Sequence, residues 1–398
     1  MEFSGLEERI RMQLKSHQIG SDQQAKNIIE DIVLKSVDGQ GPSQCKSIIN
    51  QLFRQMRCKL GVIQELLEDE HVNEIMVNSF DCIYIEKDGL LEKTALSFTS
   101  KDQLDDIIRT IAASVHREIN ELNPILDARL EDGSRVNAVY DNVALDGPVL
   151  TIRKFKREKL SMSELVSLGS VTQECSDYLR ILVEAGYNVF LSGTTSSGKT
   201  TFLNALADFI PKSERVVLIE DSAELDLSRI GNLVRMECRN ANGSGRGQVD
   251  MDSLIKTSLR MRPDRIIIGE VRGKEVSSML QGLNTGHSGM STGHGNSIKG
   301  MLKRMEAMYL MNGSLPVDSV RGQIAEAIDV MVQLVRFADG QRAVFAIDEL
   351  VGWEHGEYIL NPLFVTSWEN NDRKLEYTGN QLQGREKLMV HKYGTSIH

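Results

Sequence analysis

Gly193-Thr194-Thr195-Ser196-Ser197-Gly198-Lys199-Thr200 is the stretch that decides how this chain of 398 residues is read. It fits GxxxxGK[ST], directly after the apolar run Asn188-Val-Phe-Leu191 and before a stretch of helical character. A strand, a glycine-bounded loop and a helix in that order are what the motif requires. Backbone N–H groups of the loop and the positive end of the helix would cradle a β-phosphate. Lys199 would reach the β and γ oxygens, and the Thr200 hydroxyl would ligate Mg²⁺. Residues Gly193 to Thr201 are therefore the candidate nucleotide cradle, with ATP and Mg²⁺ as the expected ligands.

Around this loop, Val189-Phe-Leu191, Val216-Val-Leu-Ile219, Ile266-Ile-Ile268 and Val330-Met-Val332 are solid apolar runs separated by helical stretches. Strands covered by helices on both faces read this way, so the fold class is α/β with a doubly wound sheet. Arg265-Ile-Ile-Ile-Gly-Glu270 is a buried strand ending in a carboxylate, the pattern of a Walker B element. Glu270 is the candidate general base and a candidate Mg²⁺ ligand. Arg272, two residues on, is a candidate nucleotide contact, and a plain Glu270–Arg272 ion pair is the structural alternative. A second strand ends at Glu220-Asp221, with Glu224 shortly after. Glu220 is expected to orient water or magnesium ligands, and Asp221 and Glu224 to cap the following turn or face the nucleotide. In Thr285-Gly-His287-Ser-Gly-Met-Ser-Thr-Gly-His294 the histidines are candidates to contact a γ-phosphate, or else are satisfied structural groups.

The rest of the chain divides by pattern. Residues 1–58 read as helices, with Leu6, Ile10 and Leu14, then Ile28, Ile29, Ile32 and Val33, then Ile48, Ile49, Leu52, Phe53 and Met56 at helical spacing. Residues 59–157 mix short strands and helices as a small α+β domain. Asp88-Gly89 and Asp132-Gly133 are its expected hairpin turns, and a helix through Leu104, Ile107, Ile108, Ile111 and Val115 covers its sheet. Residues 158–172 are the expected linker, 173–365 the P-loop domain, and 366–398 a polar, peripheral tail.

A net charge of −10 argues against a partner that is chiefly phosphate backbone. No apolar run approaches the ~18 residues that span a bilayer, and the N-terminus lacks the pattern of a secretory signal. The expectation is a cytoplasmic protein, peripheral to membrane. The cysteines Cys45, Cys58, Cys82, Cys175 and Cys238 are scattered, without CxxC spacing, and suit neither zinc nor a disulfide framework.

The phosphate loop, the acidic box Ile219-Glu-Asp-Ser-Ala-Glu-Leu225, the Walker B strand and the histidine box, in this order, resemble the type II/IV secretion ATPase superfamily. More narrowly, Leu259-Arg-Met-Arg-Pro-Asp-Arg-Ile-Ile-Ile-Gly-Glu-Val-Arg-Gly273, Asp127-Ala-Arg-Leu-Glu-Asp-Gly-Ser-Arg-Val-Asn-Ala138 and Val149-Leu-Thr-Ile-Arg-Lys-Phe155 look like the CpaF/TadA branch, which drives tight-adherence pili. The resemblance runs from about residue 60 to 362. It implies a RecA-like P-loop NTPase domain with a smaller α+β N-terminal domain and N-terminal helices, a homo-hexamer, and ATP hydrolysis that powers pilus assembly or secretion. The implied partners are inner-membrane platform proteins at the inner face of the cell membrane. It assigns Glu270 to Walker B chemistry, Glu220 to the acidic box, and His287 and His294 to the histidine box. Arg129, Arg135 and Arg153, from the N-terminal domain, become candidate phosphate contacts. The loop departs from the family in carrying Ser196, and often Thr194, where glycine is usual. The rival readings are a RecA-type nucleic-acid motor, which needs a basic channel or stacking aromatics, and a nucleotide-binding scaffold with little turnover. No NKxD guanine-reading motif occurs.

Overall fold

Alternating burial, with Ile75 and Val77 or Ile83 and Ile85 inside, is what makes sheet strands of the first half of the chain in the computed structural model. The structure describes residues 9–10, 12–14, 22–36, 45–46, 48–49, 52–53, 60–87, 89–115, 117–130, 132–155, 160–239, 247–311, 315–369 and 372–390. Two compact units divide the chain, Met1–Lys156 and Arg157–His398.

In the first unit, helix α1 (Asp22–Ser36) lays Ile29, Ile32 and Val33 into a small cluster with Ile10, Ile49 and Leu52. Leu6, Met56 and Cys58 lie outside the described residues. A short helix, α2 (Gln64–Glu68), leads into β1 (Val72–Ser79), β2 (Cys82–Lys87) and β3 (Leu90–Lys93). The turn between β2 and β3 holds Gly89 at φ +82°, and its other expected residue, Asp88, lies outside the described residues. Helix α3 (Lys101–Ser114) starts at Ser100, whose hydroxyl accepts from Gln103 N, and buries Leu104, Ile107, Ile108 and Ile111 against the sheet as their spacing predicts. Burying aliphatic side chains contributes roughly 1.5–3 kcal/mol each. Strands β4 (Ile125–Arg129), β5 (Arg135–Val139) and β6 (Val149–Arg153) complete a six-stranded sheet of order β3-β2-β1-β6-β5-β4.

The second unit takes in part of the stretch read as linker. Within that stretch, α4 (Met162–Ser167) has a capping box at Ser161 and Glu164 and buries Met162 and Leu165 in the second unit's core. Residues 158 and 159 of that stretch lie outside the described residues. Next come α5 (Gln173–Glu184), β7 (Val189–Gly193), α6 (Lys199–Ala207), β8 (Arg215–Glu220), β9 (Asn232–Glu237), α7 (Met251–Ser258), β10 (Arg265–Ile268), α8 (Val276–Asn284) and β11 (Ser288–His294). They are followed by α9 (Ile298–Leu310), α10 (Val317–Ala327), β12 (Val330–Arg336), β13 (Arg342–Glu354), β14 (Glu357–Glu369), β15 (Asp372–Tyr377) and α11 (Glu386–Val390).

The nine strands order as β15-β14-β13-β12-β7-β11-β10-β8-β9, parallel from β9 to β12 and antiparallel from β12 to β15. One face packs against α4, α5 and α6, the other against α7 to α10. This is the doubly wound α/β arrangement, with the loop Gly193–Lys199 at the carboxyl end of β7, where such sheets bind ligands. Leu382 and Leu388 are 1% and 4% exposed in the same core as Leu179 and Leu203. The stretch expected to be a peripheral tail therefore closes the domain as far as residue 390. Its polarity misled because β15 is a sheet edge, where alternate side chains meet water. The cysteines among the described residues are free thiols.

Candidate functional site

Helix α6 begins at Gly198, whose φ of +92° is left-handed, and no side chain caps its first N–H groups. Those donors and the helix dipole are left for an anion. Gly193 is dictated by space: a Cβ there would stand 2.4 Å from Ser197 Oγ and 2.7 Å from Leu334 O. Ser197 is fully buried with a hydroxyl that finds no partner among the described residues, while Thr194, Thr195 and Ser196 are exposed. Ser196 itself sits at φ +59°.

Lys199, 8% exposed, donates to Gly193 O at 3.1 Å and Thr194 O at 3.0 Å, and its Nζ is 3.2 Å from His294 Nδ1. Its Nζ is surrounded by acceptors of the loop itself, and burial lowers its pKa against the raising effect of Glu270. His294 Nε2 lies 2.7 Å from Glu270 Oε1. An ammonium group only donates, so Nδ1 of His294 accepts and Nε2 carries the proton toward Glu270. Burial first, and then the Lys199 cation, hold the His294 imidazole below its ordinary pKa, so it is neutral at pH 7. Glu270 Oε2 accepts from Arg272 Nε at 3.0 Å and Nη2 at 2.6 Å. The ion pair weighed for these two residues is thus present, and it shares the carboxylate with the His294 chain.

In the acidic box, the turn that Asp221 and Glu224 were expected to cap is held by Glu220. Glu220, 3% exposed, spends Oε1 on the turn amides of Glu224 and Leu225 at 2.7 and 2.8 Å, and burial raises its pKa. It is the turn-capping residue, where a water-orienting role was expected. Glu224 instead reaches the loop, its Oε2 accepting from Thr200 Oγ1 at 3.2 Å. These two oxygen donors suit a hard cation such as Mg²⁺. Glu270, the other expected metal ligand, is engaged with Arg272 and His294.

The histidines part company. Strand β11 sets His294 in register with Gly193, whereas His287 precedes the other end of that strand, about 20 Å away at the usual rise per residue. His287 Nδ1 lies 3.1 Å from Gly282 O at the end of α8. It is not brought to this chain's phosphate loop. Its place in a conspicuous small-residue run misled, since glycines there serve packing: a Cβ on Gly289 would lie 2.4 Å from Leu283 Cδ2.

Arg129, Arg135 and Arg153 belong to the first unit and form one row across β4, β5 and β6, Arg129 opposite Arg135 and Arg135 opposite Arg153. Arg129 Nε donates to Gly133 O at 3.0 Å and its guanidinium stands 5.5 Å from the Phe155 ring centre. One further residue reaches the loop that the sequence did not single out. The side chain of Arg342 packs within 4 Å of the space above Gly198, and a lone arginine in a strand carries no signal of it.

The type II/IV secretion system protein family matches residues 57–362 of this chain. An uncharacterized protein of Methanocaldococcus jannaschii is 39% identical over 266 residues, covering 65% of this chain and 35% of that protein, so the chain spans about a third of that relative. The type IV secretion system protein PtlH of Bordetella pertussis is 31% identical over 309 residues, covering 71% of this chain and 91% of PtlH. The X-ray structure of the Legionella pneumophila ATPase DotB shares the fold with a TM-score of 0.53 at 20% identity, covering 74% of this chain and 80% of DotB. On the extent of the family match, the chain belongs to the type II/IV secretion system protein family.

Proposed function

We propose that this chain is an ATP-hydrolysing motor of a pilus-assembly or secretion machine, working as a homo-hexamer at the inner face of the cell membrane against platform proteins. The observation that carries the chemistry is the chain Lys199–His294–Glu270 at the uncapped start of α6. Lys199 exchanges neutral carbonyl acceptors for phosphate oxygens, a stronger charge-assisted pairing. Glu270, next to the γ-phosphate end, accepts the proton of the attacking water, and Arg272 shifts from Glu270 to the charge developing on the transferred group. Thr200 and Glu224 would hold Mg²⁺, which neutralises phosphate charge when bound. The resemblance adds Arg129, Arg135 and Arg153 as further proposed phosphate contacts.

The pilus reading is supported by the stretches 127–138, 149–155 and 259–273, and the secretion reading by the likeness to PtlH. Among the described residues no helix is long and apolar enough to cross a membrane, which agrees with a peripheral attachment. Steady-state phosphate release tests the proposal: Lys199→Ala should abolish it, and Glu270→Gln should bind ATP without turning it over. Turnover by Lys199→Ala at the wild-type rate would falsify the assignment.

A further inference from the structure

The hairpin of β12 and β13 sets Arg336 directly opposite Arg342. Both side chains are exposed, and among the described residues neither guanidinium has a hydrogen-bond or ion-pair partner. Like charges facing each other across a ladder disfavour the pairing. They lie on the α6 face of the sheet, because Leu334 packs in that core and side chains alternate along β12. The Arg342 stem rests on the phosphate loop, its Cδ and Cβ lying 3.6 and 3.8 Å from the place of a Cβ on Gly198.

The hairpin is braced rather than loose. Phe337 N donates to Gln341 O at 2.8 Å, and the Arg373 guanidinium lies 3.9 Å from the Phe337 ring centre. Arg373 Nη2 also donates to Gln341 Oε1 at 2.6 Å, and Gln341 Nε2 donates to Leu168 O and Gly169 O at 3.3 Å. The backbone that carries these two unpaired arginines is thus held in place beside the phosphate loop.

Strand order says which end of a nucleotide they meet. Glu224 follows β8, Glu270 follows β10 and His294 ends β11, all on one side of β7, whereas β12 and its hairpin lie on the other. The phosphate to be cleaved lies beside Glu270, so the phosphate chain runs across Lys199 toward β12. Its α-phosphate and nucleoside then come to the hairpin. We propose that Arg336 and Arg342 are an α-phosphate clamp, a guanidinium pair whose mutual repulsion is relieved by the nucleotide's α-phosphate. This rests on the reading of the loop as an ATP site.

The test is titration calorimetry of the full chain with ADP and with UDP, for wild type, Arg342→Ala, Arg336→Ala, Arg342→Lys and Lys199→Ala. Losing one charge-assisted bond to phosphate should weaken both nucleotides about ten-fold in each alanine variant. Arg342→Lys should recover part of the loss, and melting temperature without nucleotide should not fall, since a repulsion has been removed. Affinities equal to wild type in both alanine variants would overturn the clamp. So would a loss confined to ADP, which would make the contact a stack on the purine ring. Failure of wild type to bind either nucleotide would instead overturn the ATP-site reading, with the Lys199→Ala arm as its reference.

Discussion

His294 meets Glu270 through Nε2 at 2.7 Å while its other ring nitrogen faces Lys199, so one neutral imidazole joins the phosphate-binding cation to the candidate base. Its pKa is depressed by burial and by Lys199, and raised in part by Glu270. The unfolded chain, with an ordinary imidazole at about 6.5, binds the proton more readily than the folded one. Stability therefore rises with pH through the window just below that value, and is lost as pH falls through it. Lys199→Met should move the His294 titration, followed by NMR of labelled imidazoles, upward toward the ordinary value, and Glu270→Gln should move it further down. Unchanged titration in Lys199→Met would mean that the two side chains do not meet in solution.

The two glutamates of the acidic box should separate cleanly. Glu224→Gln keeps an acceptor for Thr200 but removes a charge beside the phosphates, so magnesium-dependent nucleotide affinity should fall while folding stability stays within about 0.5 kcal/mol. Glu220→Ala leaves two turn amides without their acceptor in a buried setting, costing about 2–3 kcal/mol. Urea unfolding and nucleotide titration on both variants decide the matter. The assignment is wrong if the stability loss falls on Glu224→Gln instead.

Ser196 occupies a left-handed backbone position at φ +59°. Glycine there would relieve about 1 kcal/mol of steric cost but return roughly 0.5–1 kcal/mol in the entropy of the unfolded chain. Ser196→Gly should accordingly leave stability almost unchanged. Ser196→Val has no such compensation, since a β-branched side chain is a steric outlier there, and should lose about 1–2 kcal/mol together with nucleotide affinity. Equal stability of the valine variant in thermal melts would show that the loop does not hold this conformation.

What the sequence made legible, and what it hid, follows from where each signal resides. The solid apolar runs at Val189, Val216, Ile266 and Val330 were readable because a strand covered on both faces must be apolar at every position. Strand β11 was not, although it lies at the sheet centre: Ser288-Gly-Met-Ser-Thr-Gly-His294 has small residues because α8 and α9 press on it, a Cβ on Gly293 meeting Met301 Cε at 2.8 Å. Its register alone separates His294 from His287. The roles of Glu220 and Glu224 could not be fixed, since both are acids at or just beyond the end of β8 and only burial assigns one to the turn. Arg336 and Arg342 became neighbours through a hairpin pairing that no local pattern announces.

The polar composition of residues 381–390 conceals a latch. Glu349, 4% exposed on β13, accepts from Gln383 N at 2.9 Å, Gly384 N at 2.7 Å and Asn361 Nδ2 at 2.7 Å. Lys387 pairs with Asp329, and the Tyr187 hydroxyl donates to Gly384 O, so Leu382 and Leu388 are pinned in the core from three directions. Glu349→Ala strands several donors at once and should cost about 2–4 kcal/mol. Glu349→Gln keeps one acceptor oxygen and should cost about half as much. If the latch rather than general loss of packing is responsible, Lys387→Met in the Glu349→Ala background adds less than it does alone, because the segment has already been released. Denaturant unfolding of the four proteins measures this coupling directly, and strict additivity would show that Glu349 and Lys387 hold the segment independently.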